Sequence, residues 1–114
     1  MPNRFAVAVG AQNGAPVLAV SGELDLASTP TLEQELDRVR AGTPSLIIID
    51  LRELEFMDST GLSVLIRAHQ HAQQTGYRLG IVNGSRQIRR LLSLTGVADR
   101  LTIVERPEDL AEVG

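Results

Sequence analysis

The chain has 114 residues, a formal net charge of −3, 43% hydrophobic and 22% charged residues, and no cysteine. The acidic balance disfavours a general nucleic-acid binder, which is usually basic. The lack of cysteine excludes disulfides, thiolate metal sites and a cysteine nucleophile. No apolar run approaches the roughly 20 residues of a membrane-spanning helix, and the N-terminus does not resemble a signal peptide. We therefore expect one globular domain over residues 1–114, without a membrane span and located in the cytoplasm.

The first third of the chain predicts a β-hairpin followed by a helix. Two strands are indicated by a partial alternation of apolar with other residues over residues 4–9 and by an apolar run at residues 16–20. The intervening residues 11–14 are typical of a turn. Thr29 and Pro30 predict the start of the helix, with Thr29 as its N-cap and Pro30 at its first helical position.

The rest of the chain alternates between strands and helices. The apolar, β-branched run at residues 46–49 ends at Asp50 and is typical of a strand in the middle of a sheet. An amphipathic helix begins near Ser59, and Gly76 lies just past its end. The later predicted elements are a strand at residues 78–82, a helix capped by residues 83–85, a strand at residues 101–104 and a short helix from Pro107.

The predicted order of elements is β-β-α-β-α-β-α-β-α. Strand–helix–strand repeats after a hairpin indicate parallel pairing through right-handed crossovers. The predicted fold class is therefore a single α/β domain with a mixed β-sheet.

Residues 58–62, with the sequence Asp-Ser-Thr-Gly-Leu, are the segment most indicative of function. Asp58 can cap the helix, which leaves the hydroxyls of Ser59 and Thr60 free. A helix N-terminus tolerates added negative charge, so a phosphate on Ser59 would change the surface without unfolding it. Gly61 costs the first helical turn about 1 kcal/mol relative to alanine, and it would allow another group to approach closely. The segment therefore predicts a contact site.

The sequence gives little support for serine catalysis or for metal binding. A nucleophilic serine needs a base within hydrogen-bond reach, and the only histidines, His69 and His71, lie more than two turns beyond Ser59. No catalytic residue is predicted. Two histidines two residues apart point to different helix faces and make a poor metal pair. The remaining candidate metal ligands are spread over separate loops and predict no site; these are Asp25, Asp50, Glu53, Glu55 and Asp58.

A basic face and a glycine-containing loop are two further candidate functional features. Arg86, Arg89 and Arg90 form a small basic face on the third helix. The default interpretation is a solvated surface, and contact with a partner or a phosphate is the second. Residues 83–85 lack the Gly-Lys-Ser/Thr of a P-loop. No cofactor is expected.

Three motifs in order carry a family resemblance. Residues 22–25 read Gly-Glu-Leu-Asp and are followed by Thr-Pro at residues 29–30. Residues 50–62 read as a strand, a loop and a helix with Asp-Ser-Thr-Gly-Leu at the junction, and residues 92–96 complete the pattern. Together they cover nearly all of the chain. The chain resembles the STAS-domain anti-sigma factor antagonists, also called anti-anti-sigma factors.

The resemblance implies a fold and a regulatory role. In such proteins the helices lie mainly on one face of the sheet. An anti-sigma factor kinase phosphorylates the first serine of the loop, and a PP2C-type phosphatase removes the phosphate. The unphosphorylated antagonist binds the kinase and frees the sigma factor. Ser59 would be the phosphoacceptor, Thr60 leaves a second phosphorylation site open, and the resemblance implies a docking surface of Asp25, Asp58, Ser59, Thr60, Gly61 and Leu62.

Two alternatives remain open from the sequence. STAS domains also serve as binding modules in stress-signalling, lipid-transport and anion-transport complexes without control by a kinase. The second alternative is a nucleotide-binding domain, although no Walker motif supports it.

Overall fold

The computed structural model describes residues 4–112, with side chains as far as Leu110. These residues form five strands, three α-helices and two 3₁₀ helices. The strands are β1 (Ala6–Gln12), β2 (Ala15–Leu24), β3 (Leu46–Met57), β4 (Arg78–Val82) and β5 (Ile103–Val104). The helices are α1 (Thr29–Arg40), α2 (Ser59–Thr75) and α3 (Arg86–Leu94), and the 3₁₀ helices are Val97–Arg100 and Pro107–Glu112.

The strands form one mixed sheet in the order β1-β2-β3-β4-β5. β1 and β2 are antiparallel, and every later neighbouring pair is parallel. The two residues between β1 and β2, Asn13 and Gly14, both have positive φ. Positive φ at both central residues is the requirement of the hairpin turn that matches the twist of a two-stranded ribbon. The predicted hairpin and mixed α/β sheet are confirmed.

β2 and β3 are longer than the sequence predicted. The expected end of β3 at Asp50 is wrong, because the strand continues through residues 51–57 along β2. The pairing is irregular there, with register shifts between Ala19 and Ser21 and between Gly22 and Glu23. Such irregularities break the simple apolar alternation by which a strand is recognised. The two long strands end together, with Leu24 opposite Met57.

The helices cover mainly one face of the sheet. The larger core lies on that face and joins apolar side chains of the strands to those of the three α-helices. On the other face, Leu110 of the second 3₁₀ helix packs with Ile48 and Val82. Gly80 lies beneath Leu110, where a Cβ would overlap a leucine methyl carbon. No helix within the described residues is long and apolar enough to cross a membrane.

The helix ends agree with the sequence at two positions and differ at a third. The Ser85 hydroxyl accepts the Ile88 N–H at the start of α3, and α2 ends at Gly76, which has a φ of 98°. The predicted N-cap of α1 is wrong by one residue, because Ser28 occupies the N-cap position and Thr29 is already helical. The hydroxyl of Ser28 is engaged in the preceding loop and makes no cap hydrogen bond.

Candidate functional site

Two loops meet at the carboxyl ends of β2 and β3. The Asp25 loop comprises residues 25–28 and follows β2, and the Ser59 loop comprises residues 58–62 and opens α2. The Asp58 N–H donates to the Leu24 carbonyl oxygen at 3.2 Å. This bond continues the contact between the paired strand ends, so the sheet holds the two loops side by side.

Asp58 caps α2 with its side chain. Its Oδ1 accepts the Thr60 N–H at 2.9 Å and the Gly61 N–H at 3.1 Å. The Asp58 carbonyl oxygen accepts the Leu62 N–H at 3.1 Å. The predicted cap is therefore confirmed, and its side chain satisfies two of the N–H groups that a helix start leaves without partners.

The Ser59 hydroxyl is free at the protein surface. Ser59 is the first residue of α2, it is exposed, and its hydroxyl has no hydrogen-bond partner within the described residues. Its carbonyl oxygen accepts the Ser63 hydroxyl at 3.0 Å one turn later. Because the Asp58 side chain caps the helix, the Ser59 side chain is not needed as the cap.

Gly61 lies at a close contact within the chain itself. A Cβ there would come within 2.7 Å of Met57 Cγ, 2.9 Å of Leu24 Cγ and 3.0 Å of the Leu24 carbonyl oxygen. The close approach that the sequence indicated is thus made by the end of β2, and an external partner is not needed to explain the glycine. Gly61 is buried and supports the loop from below.

Leu62 also lies beneath the surface. Only 8% of it is exposed, and it belongs to the main core. It can therefore contribute little contact area to a docking surface. An apolar side chain that is exposed lies in the neighbouring loop: Leu26, at 74% exposure. Leu26 was not predicted from the sequence. The signal that could have indicated it is a leucine between loop-forming residues that fits neither the apolar spacing of a helix nor that of a strand.

Asp25 builds the shape of its own loop. Its Oδ1 accepts the backbone N–H groups of Ala27 at 3.0 Å and Ser28 at 3.1 Å. The Ser28 hydroxyl accepts the Asp25 N–H at 2.9 Å and donates to the Glu23 carbonyl oxygen at 2.7 Å. These bonds fix the loop that presents Leu26 beside the Ser59 loop.

The family model for the STAS domain matches residues 6–110. The chain belongs to the STAS domain family. It is 33% identical over 96 residues to the anti-sigma-F factor antagonist RsfB of Mycobacterium tuberculosis, covering 84% of this chain and 78% of the relative. It is 34% identical over 89 residues to the anti-sigma-B factor antagonist of Staphylococcus aureus, covering 78% of this chain and 82% of the relative.

A solved structure agrees with the family membership. The crystal structure of an anti-sigma factor antagonist from Mycobacterium paratuberculosis superposes with a TM-score of 0.86 at 29% identity, covering 99% of this chain and 96% of that one. The relatives are named as antagonists, which are regulatory binding proteins and not enzymes.

Two other acidic residues of this STAS domain, Asp50 and Glu55, have arginine partners. Asp50, 8% exposed, binds the Arg52 guanidinium through both carboxylate oxygens, at 3.0 Å to Nε and 2.7 Å to Nη2. These hydrogen bonds raise the pKa of Arg52. Glu55 lies 4.0 Å from Arg4. Within the part of the chain that the structure describes, no group of acidic and histidine side chains could hold a metal ion.

The histidines of the STAS domain lie far from Ser59. His69 is ten residues further along α2, which corresponds to about 15 Å of helix. His71 Nδ1 is 2.8 Å from the Tyr77 hydroxyl, near the end of that helix. Neither imidazole can take a proton from Ser59, so the site has no arrangement for hydrolytic catalysis.

Proposed function

We propose that this STAS domain is an anti-sigma factor antagonist that works by switching partners. Its unphosphorylated form binds an anti-sigma factor kinase in the cytoplasm and thereby releases the sigma factor. Phosphorylation of Ser59 by that kinase blocks the binding, and a PP2C-type phosphatase restores it. The names of the curated relatives support the antagonist role.

The free hydroxyl of Ser59 is the observation that carries this proposal. It stands exposed at the start of α2, and a separate side chain, Asp58, performs the capping. A kinase can therefore reach the hydroxyl, and modification breaks no hydrogen bond of its side chain within the described residues.

Asp58 also explains why a phosphate would remain an exposed charge. A helix N-terminus normally offers N–H donors to an anion. Here the Asp58 carboxylate accepts the Thr60 and Gly61 N–H groups first. The phosphate would add about −1.5 to −2 charges beside an existing carboxylate. A partner that packs onto the loop would have to bury this charge without compensation, which weakens the complex.

The proposed docking surface has an exposed layer and a supporting layer. Asp25, Asp58, Ser59 and Thr60 are exposed or half-buried where the two loops meet. Leu26 adds an exposed apolar side chain to them. Of the residues expected from the family, Gly61 and Leu62 are buried, so we assign them to the supporting layer that fixes the loop.

The test is phosphorylation by the kinase with ATP, read by intact mass and peptide mapping. We expect one added phosphate, located on Ser59, and none on Ser59→Ala. Ser63→Ala is the matched control, because Ser63 is an exposed serine one turn further along α2. Phosphate on Thr60 or Ser63 in place of Ser59 would refute the assignment.

Two other experimental outcomes would support the alternative functions. If the chain binds a partner tightly but no kinase modifies it, the STAS domain is a binding module outside partner switching. If a nucleotide titration of the isolated chain shows saturable binding, the nucleotide-binding alternative gains support.

A further inference from the structure

A cleft lies between the end of β3 and α3. β4 ends at Val82, which pairs with Asp50, so residues 51–57 of β3 extend beyond it. α3 packs against this part of β3 and leaves a cleft of about 260 Å³. Its walls are predominantly apolar, and the polar lining residues are Gln87 and Arg90. The apolar lining residues are Phe56, Met57, Ile88, Leu91 and Leu94.

Two of these side chains are more exposed than their size would suggest. Phe56 is 41% exposed and Leu94, the last residue of α3, is 74% exposed. A partner that covers this apolar surface gains about 25 cal/mol for each Å² removed from water. Large apolar side chains gathered around a cleft are typical of a protein contact surface.

The cleft is continuous with the Ser59 loop. Met57 forms part of its wall and is followed directly by Asp58, the cap of α2. The same Met57 side chain lies beneath the loop, where its Cγ would be 2.7 Å from a Cβ on Gly61. A partner that covers the exposed Ser59 side chain therefore has the cleft at the edge of its contact surface.

The charge beside the cleft is positive although the chain is acidic overall. Of the three arginines on α3, Arg89 pairs with Glu105. Arg86 and Arg90 form no ion pair with any described residue, and both are exposed. Arg90 also lines the cleft. A carboxylate on an incoming segment would find an available guanidinium there.

We propose that this cleft binds a second segment of the anti-sigma factor kinase, which inserts a large apolar side chain between Phe56 and Leu94 and places a carboxylate on Arg90. This inference rests on the proposed function and adds a second contact to it. The Ser59 loop then senses phosphorylation, while the cleft supplies affinity that does not depend on the phosphate.

The first experiment removes the apolar contact. The Kd of the kinase is measured for the wild-type chain, for the double variant Phe56→Ser/Leu94→Ser and for Val9→Ser. Val9 is a matched control because it is an exposed apolar residue, 49% exposed, on β1. We expect the double variant to bind at least about tenfold more weakly, or about 1.4 kcal/mol, and Val9→Ser to bind like the wild type.

The second experiment removes the positive charge at an exposed position. Arg90→Glu is compared with Arg100→Glu, since Arg100 is exposed and likewise pairs with no described residue. We expect Arg90→Glu to weaken kinase binding, most strongly at low salt, and Arg100→Glu to have no effect. Because Arg90 is exposed, this variant keeps the proposal testable even if the double variant fails to fold.

The outcomes separate the cleft from the proposed function. If the wild-type chain binds the kinase and is phosphorylated at Ser59, but the cleft variants bind equally tightly, the cleft proposal is overturned and partner switching stands. If the wild-type chain does not bind the kinase at all, both are overturned. Weaker binding by the cleft variants, with Ser59 still phosphorylated when kinase is in excess, supports the cleft.

Discussion

At Gly61, the lack of a side chain lets the first turn of α2 lie directly against the end of β2. The residues that would clash with a Cβ are Leu24 and Met57. The sequence could predict that this glycine permits a close contact. It could not predict the neighbour, because Leu24 is distant along the chain and reaches Gly61 only through the pairing of β2 with β3.

Gly61→Ala should destabilise the fold. Alanine would favour the helix by about 1 kcal/mol, but the clash with a backbone carbonyl and two side chains, at a cost of about 1–3 kcal/mol, should outweigh this gain. Urea unfolding measures the difference. Gly10→Ala is the control, because a Cβ on Gly10 would meet nothing within 4 Å. Equal stability of the two variants would contradict the packing explanation.

Asp58→Ala should remove the cap of α2. The Thr60 and Gly61 N–H groups would lose their acceptor, at a cost of about 0.5–2 kcal/mol. Asp58→Asn keeps an acceptor oxygen and should retain most of the stability. Both are measured by chemical denaturation. If alanine and asparagine cost the same, the capping role is wrong.

Features of the site that depend on residues close in sequence could be predicted, and features that depend on the packing of separate elements could not. The cap by Asp58 and the free Ser59 hydroxyl follow from helix-start chemistry within a few residues. The burial of Leu62 and the exposure of Leu26 depend on how α2 and the Asp25 loop pack onto the sheet. A residue's place in a motif does not determine which way its side chain faces.

At the scale of elements, the start of α2 determines how the fold responds to a phosphate. The helix dipole favours an anion on Ser59 by about 0.3–1 kcal/mol, and repulsion from Asp58 opposes it. We expect melting temperatures of the phosphorylated and unmodified chains to differ by less than about 4 °C. A large decrease would mean that the phosphate acts by unfolding the loop.

A second element-scale prediction concerns the ion pair that joins α3 to the segment after β5. A hydrogen bond from Arg89 lowers the pKa of Glu105 from its ordinary value of 4.5. The interaction is therefore fully present above about pH 4.5 and is lost as the pH falls through the lowered pKa. Arg89→Gln should raise the Glu105 pKa toward 4.5, and Arg100→Gln should not change it. NMR titration of the Glu105 carboxyl group measures both.

At the scale of the whole molecule, the topology was predictable and the strand lengths were not. Apolar runs, turn residues and helix caps each act locally, and their order indicates one hairpin followed by parallel crossovers. The extension of β3 through residues 51–57 depends on pairing with an irregular β2. That extension creates both the junction of the two loops and the cleft beside α3.

We propose that the charge state of Ser59 decides whether the chain binds an anti-sigma factor kinase. The most direct measurement is the Kd of the anti-sigma factor kinase for the unmodified chain and for the chain phosphorylated on Ser59. We predict that phosphorylation weakens binding about a hundredfold or more, since burying an uncompensated charge costs several kcal/mol. Ser59→Ala, incubated with kinase and ATP, should keep the affinity of the unmodified chain. Equal affinity of the phosphorylated and unmodified chains would contradict the account.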